Sequence, residues 1–351
     1  ISFCYPSSSS PSSFFYGRLV LALLIFGVLE LAWEVAQAMM RQQRGPPQQP
    51  NQKTEPSPKE LDLYQCPSHT MALDTFNAEE PQVYLPNDRK ILQHFEDYAR
   101  NFRHQEYDAW GLTYSEVKEK LAAWKMNHSM AHVKSGDSMY ESAMGIGLNL
   151  IMTTELLYET RGVTNLTVFG NDYVEESVEI ANSLYESGIA FPNSTTQRRR
   201  WIPFCPGDSR NLSYIPSNTF DVVFSGHITP LQDPLQMGDK WKATIVKKLC
   251  DSKDAHDQAQ IELMQRQQND WFHAWIVEMI RIAKPGTILS VDEVSRPLCE
   301  ERGDWGGVPP SYWQKGKEVY GWDIDPKSIV FGKDTIFSSN RYHVLMQKSL
   351  S

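Results

Sequence analysis

The sequence predicts an α/β protein: a doubly wound, mostly parallel sheet of seven strands that ends in an antiparallel strand pair. Three observations carry this. From Ser138 onward, short apolar strand patterns alternate with helical ones, the rhythm of β-α-β units. The segment Thr219–Ser225 has the unbroken apolar centre Val222-Val223-Phe224, as a strand covered on both faces requires. Lys327–Gln347 reads as two strands around a turn at Ser338-Ser339-Asn340, a connection short enough for antiparallel pairing.

The elements follow in order. Arg89–Phe102 places Ile91, Leu92, Phe95, Tyr98 and Phe102 on one helical face, and Tyr114–His128 does the same with Val117, Leu121 and Trp124. These two helices are expected to form a cap over residues 85–132. Ser138–Ser142 is a strand leading into a glycine turn, and Leu148–Tyr158 a helix. Strand Leu166–Asp172, helix Glu175–Glu186, a short strand Ile202–Pro206 and strand Thr219–Ser225 come next. A polar helix at about Asp254–Ala283 stops at Lys284-Pro285-Gly286, before strand Thr287–Asp292. A long polar insert, residues 232–270, falls between the last two of these strands. No internal repeat is visible.

Composition bounds the function. The chain has 351 residues, 41% hydrophobic and 22% charged, an ordinary globular balance that excludes collagen-like, wholly disordered and polytopic membrane proteins. A net charge of −9 makes nucleic acid a poor partner. The triplet Arg198-Arg199-Arg200 is read as a solvated loop. The five cysteines form no C-x-x-C pair and have no histidine at ligand spacing, so neither a structural metal site nor a dithiol redox site is expected. Their odd and sparse distribution suggests a fold that does not depend on a disulfide framework, with room for one or two bridges.

The N-terminal region has a different character. Ser7–Ser13 is serine-rich, and Leu19–Leu29 is an unbroken apolar run followed by Ala36-Gln37-Ala38. The run suits a secretory signal core, Phe14–Met40 a membrane anchor, and a buried helix is the alternative. Residues 1–40 are thus expected to direct the chain to the secretory pathway or a membrane, with a cytoplasmic location as the alternative. Residues 41–84 begin with a Pro/Gln-rich linker. N-x-S/T sequons at Asn127, Asn165, Asn193 and Asn211 agree with lumenal exposure.

The chemistry is concentrated in Glu141-Ser142-Ala143-Met144-Gly145-Ile146-Gly147-Leu148-Asn149. Gly145 and Gly147 let the backbone turn sharply and a ligand lie against it, and the helix that follows exposes unpaired N–H groups. A dinucleotide fingerprint needs a third glycine three residues after the second; position 150 is leucine. The acid at the start, Glu141, suits a cationic ligand and not a phosphate. Asp172 ends the next strand, where a carboxylate can accept both hydroxyls of a ribose. Asp208, in Gly207-Asp208-Ser209, again follows a strand. Three acids at successive strand ends place a crevice at the sheet's carboxyl edge, where open α/β sheets bind ligands.

This pattern resembles the class I S-adenosylmethionine-dependent methyltransferases, in particular the type 11, ubiquinone-biosynthesis-like group. The marks are Glu141-x-Ala143-x-Gly145-x-Gly147, Asp172, Gly207-Asp208-Ser209-Arg210-Asn211-Leu212, Phe220-Asp221-Val222-Val223-Phe224-Ser225 and Arg281-Ile282-Ala283-Lys284-Pro285-Gly286. They span about Val133–Lys348, and the expected domain is residues 133–351. The family commonly has glycine where Ala143 stands. The resemblance implies a Rossmann-like methyltransferase fold with S-adenosyl-L-methionine as cofactor. Glu141 and the Gly145 and Gly147 backbone would hold the methionine end. Asp172 would bind the ribose with Tyr173 against the adenine, and Asp208 and Ser209 would bind the adenine. Ser225 and Gly226 would line the pocket after the fourth strand. His227 is the candidate base for a hydroxyl acceptor. Ser225-Gly226-His227-Ile228 stands where amide and base-amine methylases carry Asn/Asp-Pro-Pro-aromatic, which favours a small-molecule or lipid-like acceptor. A second aromatic group, Trp305, Tyr312, Trp313 and Trp322, reads chiefly as core packing. The alternatives are a non-catalytic relative that binds cofactor or partner and, less favoured, a nicotinamide-dependent oxidoreductase.

Overall fold

The computed structural model describes residues 66, 97, 101, 112–188, 200–226, 243–301, 307–333 and 341–350, all within the unit Asp62–Ser351. The expected signal or anchor segment, the linker apart from Cys66, Asn193, His227 and residues 232–242 lie outside the described residues. Of the expected helix Arg89–Phe102, Asp97 and Asn101 are described and helical. No helix among the described residues is long and apolar enough to cross a membrane.

The core is one mixed sheet. Its strands are β1 (Ser138–Ser142), β2 (Thr167–Asp172), β3 (Arg200–Trp201), β4 (Cys205–Pro206), β5 (Val222–Ser225), β6 (Ile288–Val294), β7 (Ile324–Lys333) and β8 (Tyr342–Lys348). They run in the order β3-β2-β1-β5-β6-β8-β7, with β4 also on β2. All pairs are parallel up to β6; β8 lies antiparallel to both β6 and β7. This is the expected doubly wound sheet with its antiparallel C-terminal pair. Eight strands fill seven positions, because the expected strand Ile202–Pro206 forms as two short pairings. Ile202 N–H still donates to the Val168 carbonyl at 3.1 Å, but Pro203 has no N–H to continue the ladder.

The helices are α1 (Tyr114–Trp124), α2 (Leu148–Arg161), α3 (Glu175–Glu186), α4 (Ala243–Asp251), α5 (Ala255–Ile282), α6 (Leu298–Glu301), α7 (Pro310–Gln314) and α8 (Gly316–Tyr320). A capping box starts α1: the Thr113 hydroxyl accepts from the Glu116 N–H, and the Glu116 carboxylate accepts from the Thr113 N–H. The expected helix Tyr114–His128 remains α-helical only to Trp124, and Lys125–Ser129 form a π-helical turn. Asp254 caps α5 by accepting from the N–H groups of His256 and Asp257. Residues 255–270 of the expected polar insert belong to this 28-residue helix. It buries Ile261, Met264, Trp271, Phe272, Trp275 and Met279, a spacing that holds one face against the sheet.

Two disulfides join distant segments: Cys66–Cys205 and Cys250–Cys299. Composition allowed for one or two bridges, and the fold has both. Their loops span 139 and 49 residues, so they contribute more to the structure than the sparse cysteine count suggested.

Candidate functional site

The strand order reverses at β1, which has β2 on one side and β5 on the other. Such a switch point opens a crevice at the carboxyl ends of the two central strands. Glu141 and Ser142 end β1, Asp172 ends β2 and Ser225 ends β5. The fold therefore delivers three predicted residues, Glu141, Asp172 and Ser225, to one edge.

The loop between β1 and α2 is left-handed at three positions: Ala143 (φ 53°), Gly145 (φ 54°) and Gly147 (φ 77°). A side chain at φ > 0 costs energy that glycine avoids, so alanine at 143 carries strain. A methyl group added at Gly145 would meet nothing within 4 Å, whereas one at Gly147 would lie in van der Waals contact with Ala181 and Tyr185, both at 3.5 Å. Gly145 thus faces open space, and Gly147 seats the start of α2 against α3.

Glu141 is 1% exposed. Asn149, in the first turn of α2, donates its amide to Glu141 Oε1, and the Gly226 N–H also reaches the carboxylate. Oε2 is buried without a hydrogen-bond partner. Burial pushes Glu141 up to about 8, against the opposing pull of Asn149 and Lys125. A Cβ at Gly226 would overlap the Asn149 amide, so glycine there lets three elements meet. Ser225 is fully buried, and its Oγ also lacks a partner.

Asp172 is tied to the loop. Its Oδ2 accepts from the Gly145 N–H at 2.8 Å and its Oδ1 from the Val174 N–H at 2.9 Å. Burial raises its pKa against these bonds. Tyr173 is half-buried next to it. Asp208 is differently engaged: the Arg210 guanidinium donates to both carboxylate oxygens, at 2.6–3.0 Å, on a partly exposed surface. Ser209 is buried in a polar chain. Its hydroxyl meets Ser142 Oγ at 2.9 Å and the Asn171 amide nitrogen at 3.1 Å. Asn171 Oδ1 accepts from Tyr140, and Trp275 Nε1 donates to Ser142 at 2.9 Å.

The structure thus gathers Glu141, Ala143, Gly145, Gly147 and Asp172 around one turn, with Gly226 in contact and Ser225 at the neighbouring strand end. Asp208 is turned to Arg210. Sequence reasoning missed Asn149, whose signal was a polar residue in the first turn of the helix after the glycines. It also missed Lys125 and Asp292. Lys125 is fully buried, and its Nζ donates to Asp292 Oδ2 at 3.0 Å; Trp124 Nε1 donates to Asp292 Oδ1 at 2.8 Å. Its signal was position: four residues after Leu121, on the apolar face of its helix. Burial works against the Asp292 carboxylate, but Lys125 and His343 outweigh it and hold Asp292 down at about 2. Among the described residues no group of three or more His, Cys, Asp or Glu side chains is arranged to hold a metal ion.

No protein-family model and no curated protein matches the chain. Solved structures of similar fold include the magnesium protoporphyrin IX methyltransferase of Synechocystis PCC 6803 with bound SAH, 12% identical, with 75% of this chain and 100% of that one covered, at a TM-score of 0.42. An S-adenosylmethionine-dependent methyltransferase of Methanosarcina mazei is 13% identical, with 63% and 96% covered, at a TM-score of 0.36. A possible exported protein of Bordetella parapertussis is 12% identical, with 72% and 79% covered, at a TM-score of 0.42.

Proposed function

We propose that the protein is an S-adenosyl-L-methionine-dependent methyltransferase acting on a small-molecule or lipid-like acceptor. The observation that carries the reading is Glu141: a buried carboxylate with one open oxygen, at the switch point, beside a left-handed turn that faces open space. A buried acceptor without a partner is costly unless a donor comes to it, and an ammonium group is the donor a carboxylate takes best. The residues fit the cofactor there. Glu141 would take its amino group, the 145–147 backbone would lie along it, and Asp172 has lone pairs left for ribose hydroxyls. Asp208, held by Arg210, would receive the adenine only through its remaining lone pairs, next to the Ser209 N–H. Leu150 stands where a dinucleotide site needs glycine and is fully buried, which weighs against a nicotinamide-dependent oxidoreductase.

When bound, the cofactor supplies a methyl group activated on a positively charged sulfur. The chain's own part is to hold the acceptor in line and keep water out, and positioning of this kind lowers a barrier by about 7–11 kcal/mol. The buried Tyr140–Asn171–Ser209–Ser142–Trp275 network fixes the strand ends that do so. His227, next in the chain after Gly226, is the proposed base where the acceptor is a hydroxyl. The two disulfides support a working place in an oxidising compartment. Calorimetric titration tests the reading: S-adenosylhomocysteine binds and NAD does not. Labelled methyl transfer into a cell extract then separates enzyme from binder. Absence of S-adenosylhomocysteine binding overturns the proposal.

A further inference from the structure

A second group of buried polar side chains borders the site. Glu141, Phe224 and Ser290 are level with one another on β1, β5 and β6 and so share one face of the sheet. Lys125 Nζ lies 5.3 Å from the centre of the Phe224 ring, over that face. Asp292 follows Ser290 by two residues. Both Asp292 oxygens are taken, by Lys125 and Trp124. Lys125 is not satisfied in the same way. An ammonium group has three N–H donors, and among the described residues the Lys125 Nζ makes one hydrogen bond. The face therefore holds a buried ammonium with donors to spare and, close enough to act on it through space, a buried carboxylate with an open oxygen.

Three backbone irregularities converge to build this arrangement. The π-helical turn Lys125–Ser129 interrupts the helix at Lys125 itself, a feature that often marks functional positions. A bulge shifts the β6–β8 register between Val291 and Val294, and within it Glu293 adopts φ 55°. Bulges re-aim side chains, and strain of this kind is held only where the surroundings impose it. Trp124 fixes the other side. It stacks with His343 at 4.7 Å and lies where a Cβ on Gly332 would stand. His343 is fixed in turn, since its Nδ1 accepts from the Glu293 N–H at 3.2 Å.

We propose that Lys125 and Glu141 form a clamp for a zwitterionic amino-acid group: Lys125 Nζ donates to its carboxylate, and Glu141 Oε2 accepts from its ammonium. This rests on the cofactor reading above and extends it to a residue outside the glycine-turn motif. Lys125 becomes the residue that distinguishes the intact amino-acid end from a decarboxylated one, and Asp292 positions it.

The test compares two probes by calorimetry, S-adenosylhomocysteine and its analogue lacking the carboxylate. The unmodified protein should bind the first at least about tenfold more tightly, the scale of one hydrogen bond between charged groups. Lys125→Met leaves Asp292 unpaired and risks misfolding, so the decisive variant is Lys125→Met/Asp292→Asn, which removes both charges and keeps an acceptor for Trp124. In it the two probes should bind alike, the loss falling on S-adenosylhomocysteine alone. A merely structural Lys125 would weaken both probes equally and overturn the assignment. Unchanged discrimination would overturn it too, as would a loss of turnover without a loss of binding, which would place Lys125 at the acceptor. In those cases the cofactor reading stands. Only failure of the unmodified protein to bind S-adenosylhomocysteine removes both.

Discussion

The Asp172 carboxylate accepts a hydrogen bond from the Gly145 N–H at 2.8 Å, across 27 residues of chain. One side chain thereby ties the glycine turn after β1 to the end of β2. Replacing Asp172 with alanine should free the turn and leave the Gly145 and Val174 donors without it. The expected loss is about 1–3 kcal/mol of stability, read by urea denaturation, with S-adenosylhomocysteine bound at least about tenfold more weakly. An unchanged affinity would take Asp172 out of the site.

Ala143 is a position where the protein should gain from substitution. Its φ of 53° is unfavourable for any residue with a side chain by about 1–2 kcal/mol, part of which glycine returns as extra freedom when unfolded. Ala143→Gly should raise the denaturation midpoint by a net fraction of that amount while preserving cofactor affinity. A lower midpoint would mean that the methyl group makes a contact worth more than the strain.

Glu141 sets a pH dependence with a definite sign. With its pKa pushed up to about 8 by burial, Glu141 is mainly protonated at neutral pH. Binding an ammonium group should ionise it and release a proton. Calorimetry at pH 7 in buffers of different ionisation enthalpy should show that release, and affinity should rise as pH approaches 8. Glu141→Gln should remove both effects. For stability, a carboxylate raised above its ordinary value of 4.5 contributes fully below about 4.5 and loses that contribution as pH rises through about 8. The Gln variant should therefore lose less stability than the unmodified protein between pH 5 and pH 9. Asp292 behaves oppositely: held at about 2, it stabilises above 3.8, and that contribution disappears as pH falls through 2.

The disulfides make a separate prediction. Closing loops of 139 and 49 residues removes unfolded-chain entropy equivalent to about 4–5 kcal/mol each in the loop-closure model. A thiol reductant should lower the melting temperature sharply, and a variant with all four cysteines replaced by serine should melt low with or without it. Alkylation of the unreduced, denatured chain should leave Cys66, Cys205, Cys250 and Cys299 unlabelled.

Much of the sheet was legible because its signals are local. Strand Ser138–Ser142 and helix Glu175–Glu186 have the bounds their patterns predict, and the glycine turn announces itself in four residues. What stayed hidden depends on distant partners. Lys125 and Asp292 are 167 residues apart, and nothing local tells a buried lysine from a solvated one. The pairing of four cysteines is likewise a property of the folded chain. Asp208 reads as a ligand because it follows a strand; that Arg210, two residues on, also pairs with its carboxylate is a property of the folded loop. The interruption of the edge strand was visible in Pro203, whose missing donor the apolar pattern obscured.

Trp124 reaches far along the polypeptide, to Asp292 168 residues later and on to His343 in β8. During synthesis the helix that bears it emerges well before β8, which carries its stacking partner. The Lys125 side cannot be sealed until β8 has emerged from the ribosome, since domains assemble as their segments emerge. A product cut short before Tyr342 would form most of the parallel strands yet leave that ammonium in contact with water. Completion of the β7–β8 pair thus acts as a checkpoint, and chains truncated before Tyr342 should be distinguishable from the unmodified protein by their accelerated amide exchange at Trp124 and Lys125.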